Sequence, residues 1–530
     1  MRVGAGGGRA MRWIGVLLGL GSAAAASAMV RRQEVPAPAP VTAPVTAPTT
    51  AQAAVGATDA TARATPRPRS VVFYLIDTCR ADRMSVNGHT RPTTPFLEKL
   101  AARGARFSRC FSQAPWTKPS MSSILTSCYP SVTGMYRLLD QLDSSFVTLP
   151  EAFREAGWYT AGFSCNPLMG RLSNYAQGFR RFVEATTIIP NGDPIGFASG
   201  SARRMNDHAL PWIAAPREWP YFLYLHSVDP HEEYEPAPEY LALFGDPAGE
   251  AEYRRQWQAL IDAKTVKVAN HCTKEHFEAA GVPIEPFVKY GLDLYDADIR
   301  ANDDEIERVV AALEAKGDFD DTIMVITADH GEEFMEHGGT SHAFTLWNEL
   351  IHVPLIVIAP GLIPPGVVID TPVQSLDIYP TLCELAGIAA PEGLQGASLA
   401  HLLRGEEHDG RRVFAENHEV SGGDQYFFSQ GNTLSVIEGA WKLILNLKSS
   451  YNRPRPRREL YRLDRDFDER DDLAESMPEM ADRLEDLVLD WWARNRARHE
   501  GVAVDELSVE QLQNVDPETL ERLRQLGYIK

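Results

Sequence analysis

Four short clusters in this sequence carry residue types suited to metal, acid–base or nucleophilic chemistry: Asp77, Asp229-Pro230-His231, Asp329-His330, and Thr117 ahead of Lys118-Pro119-Ser120. The first three each close a continuous β-prone run. A single aspartate after a strand usually caps the next turn or helix. Three polar strand ends that converge on one rim can instead hold a divalent cation. Asp77, Asp329 and His330 would offer two hard oxygens and one imidazole, a set that suits Mn, Zn or Mg at least as well as Ca. Thr117 has two open roles on local sequence. Pro119 fits the first turn of a helix, so Thr117 would stand just before a helix N-terminus, either as its cap or as a hydroxyl nucleophile facing amides and a positive dipole end.

These residues need strands and helices to bring them together. Residues 71–76, 221–226, 322–327 and 355–358 are continuous apolar runs, the pattern of strands buried on both faces of a mostly parallel sheet. Between them lie helical patterns at 95–103, 149–157 and 290–316, the last with Ile299, Ile306, Val309, Val310 and Leu313 on one face. Alternating strands and helices predict a wound α/β sheet, whose ligands bind beyond the carboxyl ends of the strands.

The rest of the chain limits the function classes. Lys+Arg 52 against Asp+Glu 72 leaves a net charge of −20, which repels phosphate backbones, so no nucleic-acid partner is expected. None of the six cysteines forms a C-x-x-C pair, which argues against a thiolate metal site. Arg2, Arg9 and Arg12, the apolar residues 13–21 and Ala26-Ser27-Ala28 read as a signal peptide over 1–28. Its apolar run is shorter than the ~20 residues of a spanning helix. Cleavage would leave no stable transmembrane segment and a periplasmic or extracellular protein, with an uncleaved membrane anchor as the alternative. Residues 29–69 are rich in Pro, Ala and Thr and read as a disordered linker.

Several motifs together resemble the sulfatase family of the alkaline-phosphatase-like superfamily, in a bacterial-type member with Thr at the nucleophile position. Ile76-Asp77-Thr78-Cys79-Arg80-Ala81-Asp82 resembles the family's opening motif, and Thr117-Lys118-Pro119-Ser120-Met121 its active-site stretch. Asp329-His330-Gly331-Glu332 with His337-Gly338-Gly339 and His342 is similar to its second metal block, and Leu460-Tyr461-Arg462-Leu463 with residues 466–473 to its C-terminal segment. The resemblance implies an alkaline-phosphatase-like α/β core over 70–415, a small C-terminal α+β subdomain over 416–495 and a helical tail over 496–530. It also implies one divalent cation, Ca by resemblance, on Asp77, Thr117, Asp329 and His330, and an anionic ester substrate; the oligomeric state stays open.

Departures from the family pattern refine the expected chemistry. Family members of known type carry Cys or Ser, oxidised to formylglycine, where this chain has Thr117; the β-methyl of threonine would yield a ketone, so no formylglycine is expected. Met121 replaces an arginine, Thr78 a second aspartate, and Asn166 stands near the family's anion-binding Lys and His. Lys118, Asn166, His231 and His342 are the expected substrate-binding residues. Thr117, His231 and His342 are the expected catalytic ones, and Asp229, His231 and His342 form an alternative second metal set. Relatives with Thr resemble phosphodiesterases, phosphonate hydrolases and headgroup phosphotransferases. Phosphoester or phosphonate cleavage through Thr117 is therefore favoured over an arylsulfatase-like activity, a headgroup phosphotransferase or a non-catalytic binding protein. His226 reads as a satisfied rim histidine, and Glu332, Glu333 and Glu336 as a solvated acidic run, with support of the site's ligands as the alternative. The basic stretch 453–458 reads as a solvated loop, and the insertion 245–286 shows no pattern that converts to chemistry.

Overall fold

Strand β1, Ser70–Ile76, has every side chain buried, as a run with no polar alternation must. It lies at the middle of the sheet, hydrogen-bonded to a parallel neighbour on each side. The other strands of this sheet are β2 (Ala105–Phe111), β3 (Tyr159–Ser164), β4 (Arg181–Val183), β5 (Tyr221–Ser227), β6 (Thr322–Ala328), β7 (His352–Ile358), β8 (Val367–Ile369) and β9 (Val373–Gln374). Their order is β8-β2-β7-β6-β1-β5-β3-β4, with β9 also paired to β2. All pairings are parallel except those of β7, which runs antiparallel to both β6 and β2. The run at 355–358, which reads as one more wound strand, thus enters the sheet reversed. The computed structural model describes residues 69–188, 200–263, 271–406, 410–418, 432–448, 454–499 and 505–506, all within the unit Arg63–Lys530. The leader and nearly all of the linker lie outside the described residues.

Four helices bear on the site and its surroundings: α1 (Thr117–Thr126), α2 (Ser201–Ala214), α3 (Ile284–Lys316) and α4 (Pro478–His499). Helix α3 buries Leu294, Ile299, Ile306, Val309, Val310 and Leu313, the stripe its 3.6-residue period requires. It starts at Ile284, earlier than the periodicity indicates, and stops at Gly317, whose φ of 78° supplies the left-handed cap. No helix among the described residues is long and apolar enough to cross a membrane.

The C-terminal part is a four-stranded antiparallel sheet of β10 (Arg412–Asn417), β11 (Asn432–Glu438), β12 (Trp441–Lys448) and β13 (Arg458–Arg462). Helix α4 covers it through Leu484, Val488 and Trp491, which join Leu434, Val436, Leu443, Leu445 and Leu460 in a separate apolar core. In the stretch read as a helical tail, α4 ends at His499, and Asp505–Glu506 pairs antiparallel with Asp140–Gln141. The described residues of the basic stretch lead into β13 as a largely exposed loop, and their arginines are ion-paired. Arg457 pairs with Glu485 at 2.5 Å, Arg458 with Glu485 at 2.5 Å, and Arg455 with Glu459 at 2.6 Å.

Trp491 joins this subdomain to the large domain, stacking on Phe414 at 4.6 Å and meeting Tyr129 edge-on at 4.8 Å. Replacing it by alanine should cost about 3–5 kcal/mol through lost burial and an unfilled cavity. Urea unfolding should show this as a lower midpoint at unchanged slope; an unchanged midpoint would deny the ring this role.

Candidate active site

The register of the sheet assembles the first half of the site. Ile76 pairs with Ala328, so Asp77 and Asp329, one residue further on, leave the ends of two neighbouring parallel strands side by side. His330 follows directly. These three groups are buried, and their ligating atoms all lie within 4.8 Å of one another.

Hydrogen bonds occupy one oxygen of each carboxylate and leave the other bare. Asp77 Oδ2 accepts from Asn166 Nδ2 at 2.6 Å and from His226 Nε2 at 3.3 Å, and Tyr224 Oη donates to the far nitrogen of His226 at 2.8 Å. Asp329 Oδ1 accepts from the main-chain amides of Thr78 at 3.1 Å and His330 at 2.9 Å. Asp77 Oδ1 and Asp329 Oδ2 are buried without a hydrogen-bond partner, and lie 3.7 Å and 3.4 Å from His330 Nε2. His330 Nδ1 donates to Gly331 O at 2.9 Å, which leaves Nε2 as the nitrogen with the lone pair. Two orphaned carboxylate oxygens and an imidazole lone pair in one pocket match a divalent cation's donor set, and buried polar atoms otherwise find partners.

The charges agree with this arrangement. Burial works against ionisation of Asp77, but the hydrogen bond and charge of His226 outweigh it and hold its carboxyl well below the usual range. Burial, followed by the charge of Asp77, pushes Asp329 well up. Burial, followed by the neighbouring His342, keeps His330 neutral. A cation between the two carboxylates would relieve their mutual repulsion.

Thr117 completes the group. It is the first helical residue of α1, with Trp116 in the cap position, so capping is not its role. Its Oγ1 lies 3.3 Å from His330 Nε2. All ten residues of α1 are buried, and Ser120 Oγ fastens the helix to the end of β6 by donating to Asp329 O at 2.6 Å.

Lys118 does not face the site. Adjacent helical residues point about 100° apart, and the Lys118 ammonium is buried against the carbonyl of Leu138 and near Asp140. Asn166 is likewise committed elsewhere, donating to Asp77 and accepting from Leu168 N at 2.8 Å, so it orients the Asp77 carboxylate and is not set to grip substrate. His226 is the satisfied rim histidine its position suggests, and it also buttresses Asp77. Its place at the end of β5, beside β1, was the available signal for that second role.

His231 and His342 meet at 4.9 Å between ring centroids, and the His342 ring lies 4.6 Å from that of His330. His342 Nδ1 is 3.1 Å from Glu332 Oε1. Glu332 is fully buried, contrary to a solvated acidic run, because the hairpin of Glu333–Phe334 and Thr340–Ser341 folds it inward. Burial pushes its carboxyl up to about 8, and that of Glu232 to about 7 with the charge of Glu332 as a further cause. Asp229 does not join these histidines around a second metal. Its Oδ2 accepts the Ala202 amide at 3.0 Å at the start of α2, and among the described residues Asp77, Asp329 and His330 are the one three-ligand group.

A family model described as Sulfatase matches residues 69–388, and one described as N-sulphoglucosamine sulphohydrolase, C-terminal, matches 335–490. The chain is 25% identical to arylsulfatase K of Mus musculus over 476 residues, covering 81% of this chain and 83% of that protein. It is 24% identical to an N-acetylglucosamine-6-O-sulfatase of Bacteroides thetaiotaomicron over 409 residues, covering 64% and 72%. A protein solved in complex with its substrate D-glucosamine-2-N,6-O-disulfate superposes at TM-score 0.64 with 20% identity, covering 85% of this chain and 99% of that one. A phosphonate monoester hydrolase from Silicibacter pomeroyi superposes at 0.62 with 21% identity, covering 83% and 98%.

Two outcomes are expected. Asn166→Ala and His226→Ala should each weaken Mn²⁺ binding by about 10–100-fold, as removal of a ligand's hydrogen-bond partner does; titration calorimetry giving an unchanged affinity would refute the buttressing role. Burial lowers Lys118 from its ordinary 10.5 to about 7. Between those values the unfolded chain holds a proton that the folded chain has lost, so stability rises with pH across the window and the burial penalty is felt in full below it. Lys118→Met should flatten that rise in denaturation curves recorded across the window.

Proposed function

This chain belongs to the sulfatase family and is an ester-hydrolysing enzyme, and from that premise we propose that it cleaves phosphoric esters or phosphonates with unmodified Thr117 as its nucleophile. The observation that carries the proposal is the Thr117 hydroxyl, 3.3 Å from His330 Nε2 beside two orphaned carboxylate oxygens. When bound by Asp77, Asp329 and His330, a divalent cation supplies Lewis acidity that lowers the pKa of that hydroxyl and neutralises the ester. Thr117 Oγ1 attacks phosphorus, the bond to the leaving oxygen breaks, and the leaving oxygen takes up a proton. His342, which burial holds neutral, accepts the proton Thr117 gives up and returns one to the leaving group, with Glu332 at its other nitrogen. Water then releases the phosphoryl group and restores the threonine, so the cycle consumes one water per ester. The N-terminus of α1 faces the developing negative charge. Met121 stands where the family has an arginine, and Lys118 is turned away, so no cation of α1 reaches the anion. The basic leader and its Ala26-Ser27-Ala28 site would place this chemistry in the periplasm or outside the cell.

A second reading, sulfuric ester hydrolysis by the same threonine, is favoured by the sulfatase relatives and by the N-sulphoglucosamine sulphohydrolase match over 335–490. A panel of aryl phosphate monoester, diester, phosphonate and sulfate separates the two, with turnover expected on a phosphorus ester. Thr117→Ala should lower that turnover by on the order of 1000-fold or more, as removal of a nucleophile does. Thr117→Ser should keep part of it, and an Ala variant as active as the parent would sink the mechanism.

A further inference from the structure

A fully buried ion pair of the C-terminal subdomain connects to the metal cradle through hydrogen bonds joined by two short main-chain steps, from Asn348 to Leu350 and across Gly331. Lys442 on β12 lies 2.6 Å from Glu469 Oε1, and both side chains are wholly excluded from solvent. Glu469 Oε2 accepts the main-chain amide of Asn348 at 2.6 Å, the first amide of the short helix Asn348–Ile351, and Lys442 Nζ also donates to Asn348 Oδ1 at 2.9 Å. From that turn, Leu350 O accepts Gly331 N at 2.8 Å. Gly331 O in turn accepts His330 Nδ1 at 2.9 Å, and His330 Nε2 faces Thr117.

The contact between the turn and Gly331 leaves no slack. A Cβ added to Gly331 would lie 2.0 Å from Glu349 O, so main chain packs on main chain there. The same C-terminal segment also holds the acidic hairpin. His337 Nε2 donates to Glu469 O at 2.9 Å, Arg470 bonds Glu336 O, and Asn348 Nδ2 donates to Phe467 O at 2.8 Å. His337 stacks on Trp347 at 3.9 Å, and Arg455 lies over that indole at 3.6 Å. Burying a lysine and a glutamate is costly unless their remaining donors and acceptors are used. Here Glu469 Oε2 is taken by the Asn348 amide of the catalytic domain, and Oε1 by the ion pair with Lys442, whose ammonium also donates to Asn348 Oδ1.

We infer that Lys442 and Glu469 are positioning residues for the active site: the C-terminal sheet sets the His330 ring through Asn348, Leu350 and Gly331. The inference rests on the reading of His330 as a metal ligand. A hydrogen bond that fixes a ligating imidazole is itself a determinant of metal affinity, and this one is held from a different subdomain. The pair therefore acts on the metal and on turnover, beyond any contribution to folding.

The test uses the full chain with Glu469→Gln, Lys442→Met and, as a control, Glu314→Gln, which removes one partner of an exposed pair with Arg103. Mn²⁺ binding is measured by calorimetry on the metal-free proteins, with circular dichroism to establish folding. The folded variants at 469 and 442 should bind Mn²⁺ about 10–100-fold more weakly. At saturating Mn²⁺ they should lose kcat with KM little changed, and Glu314→Gln should match the parent in both. Parent-like Mn²⁺ affinity in either folded variant overturns the inference while leaving the metal reading intact. A parent protein that binds none of Mn²⁺, Ca²⁺, Zn²⁺ and Mg²⁺ overturns the metal reading and this inference with it. Should a single variant fail to fold, Lys442→Arg decides: it keeps the charge and should retain near-parent affinity, whereas a loss of about 10-fold or more denies the pair its role.

Discussion

Asp77 and Asp329 are two buried carboxylates at the ends of adjacent parallel strands, and their neighbours solve half of the resulting electrostatic problem. Asn166, His226 and two main-chain amides satisfy the outer oxygens, while the inner oxygens stay bare and turned toward His330. Like charges this close and this dry cannot both ionise without a compensating positive charge. The rest of the site depends on that constraint. The helix that carries Thr117 is pinned to Asp329 O, the His330 ring is fixed by Gly331, and the strand-end histidine His226 is spent on Asp77.

The charged residues around this cradle are mostly committed to one another, which bears on how an anion could be held. Lys118 is folded back on Leu138, and Arg80 pairs with Asp82 and Glu336 while donating to Glu332 O. Arg455, Arg457 and Arg458 pair with glutamates of the C-terminal subdomain. Among the described residues the net charge of −20 is therefore not offset by a basic cluster beside Thr117. Among the described residues, positive potential there comes from the N-terminus of α1 and from a cation, should Asp77, Asp329 and His330 hold one. Burial raises the Glu332 and Glu232 carboxyls toward neutrality, so these groups can carry protons beside His342, which burial keeps neutral.

Much of the fold and the centre of the site were legible in the sequence, for reasons tied to particular residues. The runs around Val72, Leu223 and Ile326 have no polar alternation, which marks strands covered on both sides, and each ends in an aspartate within three residues. That pattern is local, and so were Asp77, Asp329, His330 and Thr117. Less legible were residues whose role depends on what lies across from them. Asn166 and Lys118 both have side chains suited to anions, yet one faces a carboxylate and the other a carbonyl. Glu332 sits in an acidic run that composition alone assigns to solvent, and a hairpin turns it inward to His342.

By itself the sequence determined the runs that become the three central parallel strands, a trio of Asp77, Asp329 and His330 suited to a cation, and a threonine at the head of a helix. All of these follow from residue type and from periods of two to four residues. Only the tertiary structure decided which oxygen of each carboxylate stays free, that Asp229 serves the start of α2 in place of a second metal, and that Lys442 and Glu469 reach His330 from another subdomain. Such roles depend on partners tens to hundreds of residues away, and hydrogen bonds are made over about 3 Å. A chain's order carries that distance only after it has folded.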